Sequence, residues 1–327
     1  MRSAKKPKGL KYREVWINLV VIGVAFLLFT IWYRNTAGDA IQTNEELMKY
    51  NKVYLITVDN IQPYWYEIDQ GAADMARAIG VNYIWVAPDK IEANTVNRQI
   101  ELINNAVDDG ANALIIAADD PKRISGAVED AKARGVKIIY VDSPAYEEAM
   151  TTLATDNYEA GILQGEAMLS LLDKYKIQGG AIGLISVADK QNTALREAGI
   201  RKVLEDDGRF TVLSTVYTEG TVDQAQKAAS RLIRENEELV ALFGLNQATT
   251  EGVGNAIKAD NNRIIGVGFD KSEALLKLFN EGSLKALMLQ NPYTMGYLGM
   301  AEAVAAILGN ETGPTYFDTG ISVLKSE

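Results

Sequence analysis

The chain has 327 residues, 47% of them hydrophobic, and a formal net charge of −10; that length builds two ordinary hydrophobic cores more readily than one. It contains neither Cys nor His, which removes thiol nucleophiles, disulfides, His-based triads and nearly every zinc constellation. Charge is divided unevenly: residues 1–34 hold seven cations against the single acid Glu14, a net +6 that leaves −16 on the rest, and so acidic a body speaks against a nucleic-acid partner.

Behind a basic tail (1–14), residues 15–33 read VWINLVVIGVAFLLFTIWY, uncharged over 19 positions. This predicts a transmembrane helix with Trp16, Trp32 and Tyr33 at the interfaces. The cations ahead of it stay in the cytoplasm, so the expectation is a cell-membrane protein with a single-pass N-terminal anchor and an extracellular or periplasmic body. The alternative is a signal segment cleaved after Gly38 or Ala40, giving a secreted form. A lipid anchor would need a Cys. Residues 34–51 are polar and read as a linker.

From residue 52 short apolar runs alternate with amphipathic stretches. VYLITV (53–58) precedes a helix over Tyr64 to Ile79, NYIWVA one over Ala93 to Asp109, and ALIIA one over Lys122 to Arg134; KIIYV (137–141) comes next. The pattern pauses near TTLATDN (151–157). It resumes with AIGLIS, TVLSTVY, LVALFGL and RIIGVGF, each followed by a helical segment. Strand then helix, repeated, makes a parallel sheet covered on both faces. The expected fold class is therefore α/β, with two doubly wound Rossmann-like lobes of about five repeats each.

Ligands of open parallel sheets sit beyond the carboxyl ends of the strands, so the residues just past each run are the candidates. The first lobe offers Gln62, Tyr64 and Trp65, then Asp142 and Ser143. The second offers Asn246 and Gln247 after LVALFGL, Asp270 after RIIGVGF, Gln290 after KALML, and Arg196 in the early turns of the helix after AIGLIS. Rings that cover an apolar CH face, with carboxylates and amides for hydroxyls, suit a neutral polyhydroxylated ligand. Bland alternatives stand beside each residue: Asp142 and Asp270 as helix N-caps, Arg196 as a surface ion pair, Trp65 and Tyr66 as core. GVG (266–268) lacks the third glycine and downstream acid of a dinucleotide fingerprint, so no cofactor is expected. No carboxylate pair stands out at glycosidase separation, and no enzyme activity is expected.

These segments resemble the type I periplasmic sugar-binding proteins, nearest the ribose-binding group. VDNIQPYW, IIYVDSPA, LATDNYEAG, TALREAG, ALFGLNQATTEGV, IIGVGFD and LMLQNPYTMG occur in family order and spacing over about residues 51–325. The resemblance implies that Tyr64 and Trp65 sandwich a sugar ring and that Asp142, Arg196, Asn246, Asp270 and Gln290 bind its hydroxyls. It implies a three-crossing hinge near Thr155, Gln290 and Asp318, hence one lobe of 52–155 plus 291–319 and another of 156–290 plus 320–327. It also implies a non-catalytic protein that closes on a neutral monosaccharide or related polyol and presents it to an ABC permease. A membrane-anchored sensor serving a histidine kinase or chemoreceptor is the alternative partner reading. The chain departs from the ribose group at Ser143, where that group has Arg, and at Ala117, where it has Asn. The expectation is a hexose, or a furanose with a longer arm, ahead of ribose.

Overall fold

A computed structural model describes residues 51–89 and 95–326. The tail, the expected transmembrane helix and nearly all of the linker lie outside the described residues. No helix among the described residues is long and apolar enough to cross a membrane. One compact unit, Lys52–Ala78 with Tyr83–Glu327, carries two sheets.

The first sheet contains β1 (Lys52–Ile56), β2 (Asn82–Val86), β3 (Ala113–Ile116), β4 (Lys137–Val141), β5 (Thr151–Ala154) and β12 (Tyr316–Asp318), in the spatial order β12-β5-β4-β3-β1-β2. Its helices are α1 (Pro63–Ile79), α2 (Thr95–Asp108), α3 (Pro121–Ala133) and, from much later in the chain, α9 (Pro292–Ile307). Because strand side chains alternate between faces, Tyr54, Ile56, Leu114, Ile116, Ile138 and Tyr140 pack under α2 and α3. Ile115, Val141 and Leu153 meet α9 around Gly299 on the opposite face. Both faces are covered, which is why these strands read as unbroken apolar runs.

The second sheet contains β6 (Gly180–Val187), β7 (Phe210–Val212), β8 (Val216–Thr218), β9 (Leu239–Gly244), β10 (Ile265–Phe269), β11 (Ala286–Leu289) and β13 (Ser322–Lys325). Its order is β13-β11-β10-β9-β6-β7 with β8 also on β6, all parallel except β13. One face packs on α4 (Asn157–Lys174) and α5 (Gln191–Asp207), the other on α6 (Val222–Glu235) and α7 (Gln247–Ala259), with α8 (Glu273–Asn280) beside Leu284 and Leu287.

Three expectations from sequence need correction. TTLA, read as a pause, is the buried strand β5; its threonines pair with β4 and β12, and β-branched Thr suits a strand although it breaks an apolar count. TVLSTVY is not one strand but β7 and β8, separated by an irregular turn and paired with different parts of β6. The repeat count missed the strands β12 and β13, which the chain adds as the sheets' edge partners after α9.

The chain passes between the sheets at three places: after β5, after β11 and after β12. Side chains knit these crossings together. Thr155 Oγ1 donates to Gln290 Oε1 at 2.9 Å, the Asp156 amide donates to Asp318 Oδ1 at 3.1 Å, and Asn291 Nδ2 donates to Thr319 O at 2.7 Å.

Candidate functional site

Asp142 follows β4 and Asp270 follows β10, and both have left-handed φ, 61° and 73°. Asp is among the few side chains that tolerate that region. The turn is pinned alike in each lobe: the Asp142 amide donates to Leu153 O on β5 at 2.9 Å, and the Asp270 amide to Met288 O on β11 at 2.7 Å. Neither acid caps a helix. Ser272 caps α8 after Asp270, and Asp142 leads into irregular chain before β5. The capping alternative is therefore set aside for both.

The acids are buried, 9% and 7% exposed, but their partners differ. Asp142 accepts from Tyr64 Oη at 2.7 Å and, across the cleft, from Asn192 Nδ2 on α5 at 3.3 Å. Asp270 accepts from Gln290 Nε2 at 2.6 Å, and the nearby backbone amide of Gln247 favours its charged form. Arg196 faces them from α5. It is no surface ion pair: it is 3% exposed, donates from Nε to Asn157 Oδ1 and from Nη1 to Leu245 O, both at 2.8 Å, and its guanidinium lies 3.5 Å from the centroid of Phe269. Burial pushes both carboxyls above the usual carboxylate range, and the Arg196 charge holds each back. Burial likewise lowers Arg196, opposed by Asp270 and then Asp142. Removing the cation would leave two buried anions uncompensated, the costly way to break such a group.

Arg196 owes its position to a close helix crossing. A Cβ on Gly161 of α4 would stand 2.1 Å from Arg196 O on α5, and one on Gly199 would stand 2.3 Å from Tyr158 O. The first lobe repeats the device under its aromatic wall, where Gly71 of α1 meets Tyr293 O and Gly296 of α9 meets Ile68 O.

The aromatic pair is arranged differently from the implied sandwich. Tyr64 and Trp65 meet edge to face, centroids 5.0 Å apart and planes at 82°, so they cannot cover opposite faces of one ring. Successive helical residues point about 100° apart, which makes the parallel arrangement unreachable from adjacent positions on α1. Together they form one wall. Trp65 is buried and donates from Nε1 to Asp59 Oδ2 at 3.0 Å. Tyr66 is exposed, bonded to Asn60 O and edge-on to Trp85, away from this wall.

The remaining expected residues line the same cleft, about 330 Å³ in volume. Gln62 Nε2 donates to Asp59 Oδ2 at 2.7 Å. Ser143 Oγ is committed to Ala118 O at 2.9 Å. Gln290 bridges Asp270 to Thr155, so its amide ties the site to the hinge. Asn246 is the N-cap of α7, its Oδ1 accepting from Thr249 N and Thr249 Oγ1, which leaves its Nδ2 as the group with capacity for a ligand. Ala117 is fully buried and its carbonyl accepts from Gln99 Nε2.

Several cleft residues escaped the sequence reading. Asp59, fully buried, accepts from the amides of Ile61 and Gln62 and from the side chains of Gln62 and Trp65, and so orients the whole QPYW turn; its place one residue past VYLITV was a usable signal. Asn192 and Lys190 were not legible. Lys190 Nζ reaches Asp119 of the other lobe, 2.8 Å from its carbonyl and ion-paired with its carboxylate, and Lys271 pairs with Glu67 at 3.3 Å.

The profile of the periplasmic binding protein domain family matches residues 53–311. The chain belongs to this family. Among curated relatives, the xylose/arabinose-binding protein of Sulfolobus acidocaldarius is 23% identical over 82% of this chain and 69% of its own length. The ribose import binding protein of Haemophilus influenzae is 24% identical over 84% of this chain and 91% of its own. A carbohydrate transporter solute-binding protein of Agrobacterium radiobacter, solved in complex with D-arabinose, is 25% identical with a TM-score of 0.79, over 85% of this chain and 95% of the other. Membership of the family makes this a binding protein rather than an enzyme and sets its folded body outside the cytoplasm.

Proposed function

We propose that this chain is the extracytoplasmic substrate-binding protein of an ABC sugar importer, closing its two lobes, 52–155 with 291–319 and 156–290 with 320–327, on a neutral monosaccharide. One observation carries the reading: buried strand-end carboxylates from opposite lobes, Asp142 and Asp270, converge with Arg196 and an aromatic wall in a single cleft. Carboxylates accept from hydroxyls, the guanidinium donates to ring and hydroxyl oxygens, and Tyr64 with Trp65 offers an apolar surface. The importer names of the relatives favour a permease over a sensor kinase as partner. Closure draws on the sugar's greater affinity for the closed form. The uncharged span at 15–33 supports a retained membrane anchor.

Ser143 supplies no fork of donors, and its hydroxyl is already committed, which supports a hexose or a longer-armed furanose ahead of ribose. The experiment is a thermal-shift series on the full chain in mild detergent with D-ribose, D-arabinose, D-xylose, D-glucose and D-galactose. A sugar at 100 times its Kd should stabilise by about 2.7 kcal/mol. No shift with any of them sinks the sugar reading; ribose at least about tenfold tighter than the hexoses sinks the preference alone.

A further inference from the structure

Gln247 opens α7 directly after the cap Asn246, at the end of β9. Its Oε1 is buried and has no hydrogen-bond partner, although the residue lines the cleft. Buried amide oxygens are almost always paired, so one left over calls for an explanation. Two of the five Arg196 N–H donors go to Asn157 and Leu245, and none reaches Gln247 Oε1. β9 and β10 are paired parallel neighbours, so the residues just past their ends, Gln247 and Asp270, stand side by side at the lip of the cleft that both line. An unpaired amide oxygen beside a carboxylate with acceptor capacity to spare matches two adjacent hydroxyls on one ring.

We propose that Gln247 is a specificity-determining residue whose Oε1 accepts a sugar hydroxyl next to the one held by Asp270, so that the site selects sugars with an unsubstituted vicinal diol at that edge. This rests on the sugar reading above. The ligand class follows: aldoses bearing both hydroxyls are accepted, and those that are deoxy or O-methylated at either position are rejected. A site that holds a hydroxyl in this way discriminates strongly, because an analogue without it leaves the buried acceptor unpaired again.

The test is a cycle between protein and ligand. Full-length wild type and Gln247→Met are titrated by calorimetry with whichever of D-ribose, D-arabinose, D-xylose, D-glucose and D-galactose binds wild type tightest, and with each of its monodeoxy derivatives. Met keeps length and helix propensity without the acceptor. Gln247→Met should bind the parent sugar about tenfold more weakly. One monodeoxy sugar should bind wild type about tenfold more weakly and lose nothing further in the variant. Without sugar the variant should melt at or above wild type, because an unpaired buried oxygen has been removed; a purely structural glutamine would melt lower. Unchanged affinity in Gln247→Met, additive losses at every deoxy position, or a lower sugar-free melting temperature would overturn the proposal. Wild type binding none of the five sugars would overturn it together with the reading beneath it. A crystal structure of wild type with the sugar decides independently of the variant: Oε1 within about 3.2 Å of a ring hydroxyl supports the assignment, and Oε1 bonded to protein or left bare overturns it.

Discussion

Asp142 and Asp270 occupy corresponding places in the two lobes, with the same left-handed turn and the same amide bond to the next strand, yet they are held from opposite directions. Asp142 takes a donor from the far lobe, Asn192, as well as Tyr64 from its own. Asp270 is held by Gln290 at the hinge. Opening the cleft would strip Asp142 of a partner and leave Asp270 as it is. The same local geometry thus serves two ends: Asp270 belongs to a preformed surface, and Asp142 reports whether the lobes are closed. Preformed groups bind with less reorganisation.

The largest test of this division removes the charge both acids share. Arg196→Leu should cost about 3–5 kcal/mol of stability in urea denaturation, because two buried carboxylates lose their counter-charge; a loss under about 1 kcal/mol would mean water reaches them freely. Next, Asp270→Ala should weaken sugar binding by about 10–150-fold, equivalent to 1.5–3 kcal/mol, while the left-handed φ at that position costs its sugar-free stability about 1–2 kcal/mol. Equal losses of affinity in Asp270→Ala and Asn192→Ala would erase the contrast.

The two helix crossings invite a matched pair. Gly161→Ala and Gly71→Ala each force a Cβ against a backbone oxygen at 2.1 Å, an overpacking worth about 1–3 kcal/mol. The first should also move Arg196 and so weaken binding more than its stability loss explains, and equal binding by both variants would deny the crossing that role.

A subtler effect is set by pH. Burial raises the carboxyls of Asp142 and Asp270 above their unfolded value of 3.8. Their contribution to stability is therefore fully present below that value and lost as pH rises through the raised ones. Asp142→Asn should gain on wild type in urea midpoint as pH rises above 3.8, and a constant difference would mean that Asp142 titrates like an exposed acid. The smallest effect belongs to the rim. Lys190→Ala breaks a partly exposed ion pair across the cleft, worth about 0.2–1 kcal/mol, so apparent affinity should fall by no more than about fivefold, and less at high salt.

The strands β1, β3, β4, β6, β9 and β10 were legible because each is an apolar run buried on both faces, a signal carried by consecutive residues. β5 was not, since two of its four residues are threonines whose burial depends on β4 and β12. The candidate residues could be named from their strand-end positions, but not their states. That Asn246 spends its oxygen on a helix cap, that Ser143 is tied to Ala118, and that Tyr64 and Trp65 meet edge-on are matters of rotamer and neighbour.

The sequence by itself determined the α/β repeat, the two lobes, the absence of thiol and imidazole chemistry, and which side chains stand at the carboxyl ends of the strands. These are local properties, set by side-chain alternation, helical period and the position of polar residues after apolar runs. Only the tertiary structure decided which groups are spent and which remain. Asn192 reaches Asp142 over 50 positions and Lys190 reaches Asp119 over 71. Contacts at such separations exist only when two sheets are brought face to face, and no short window of residues encodes the distance between them.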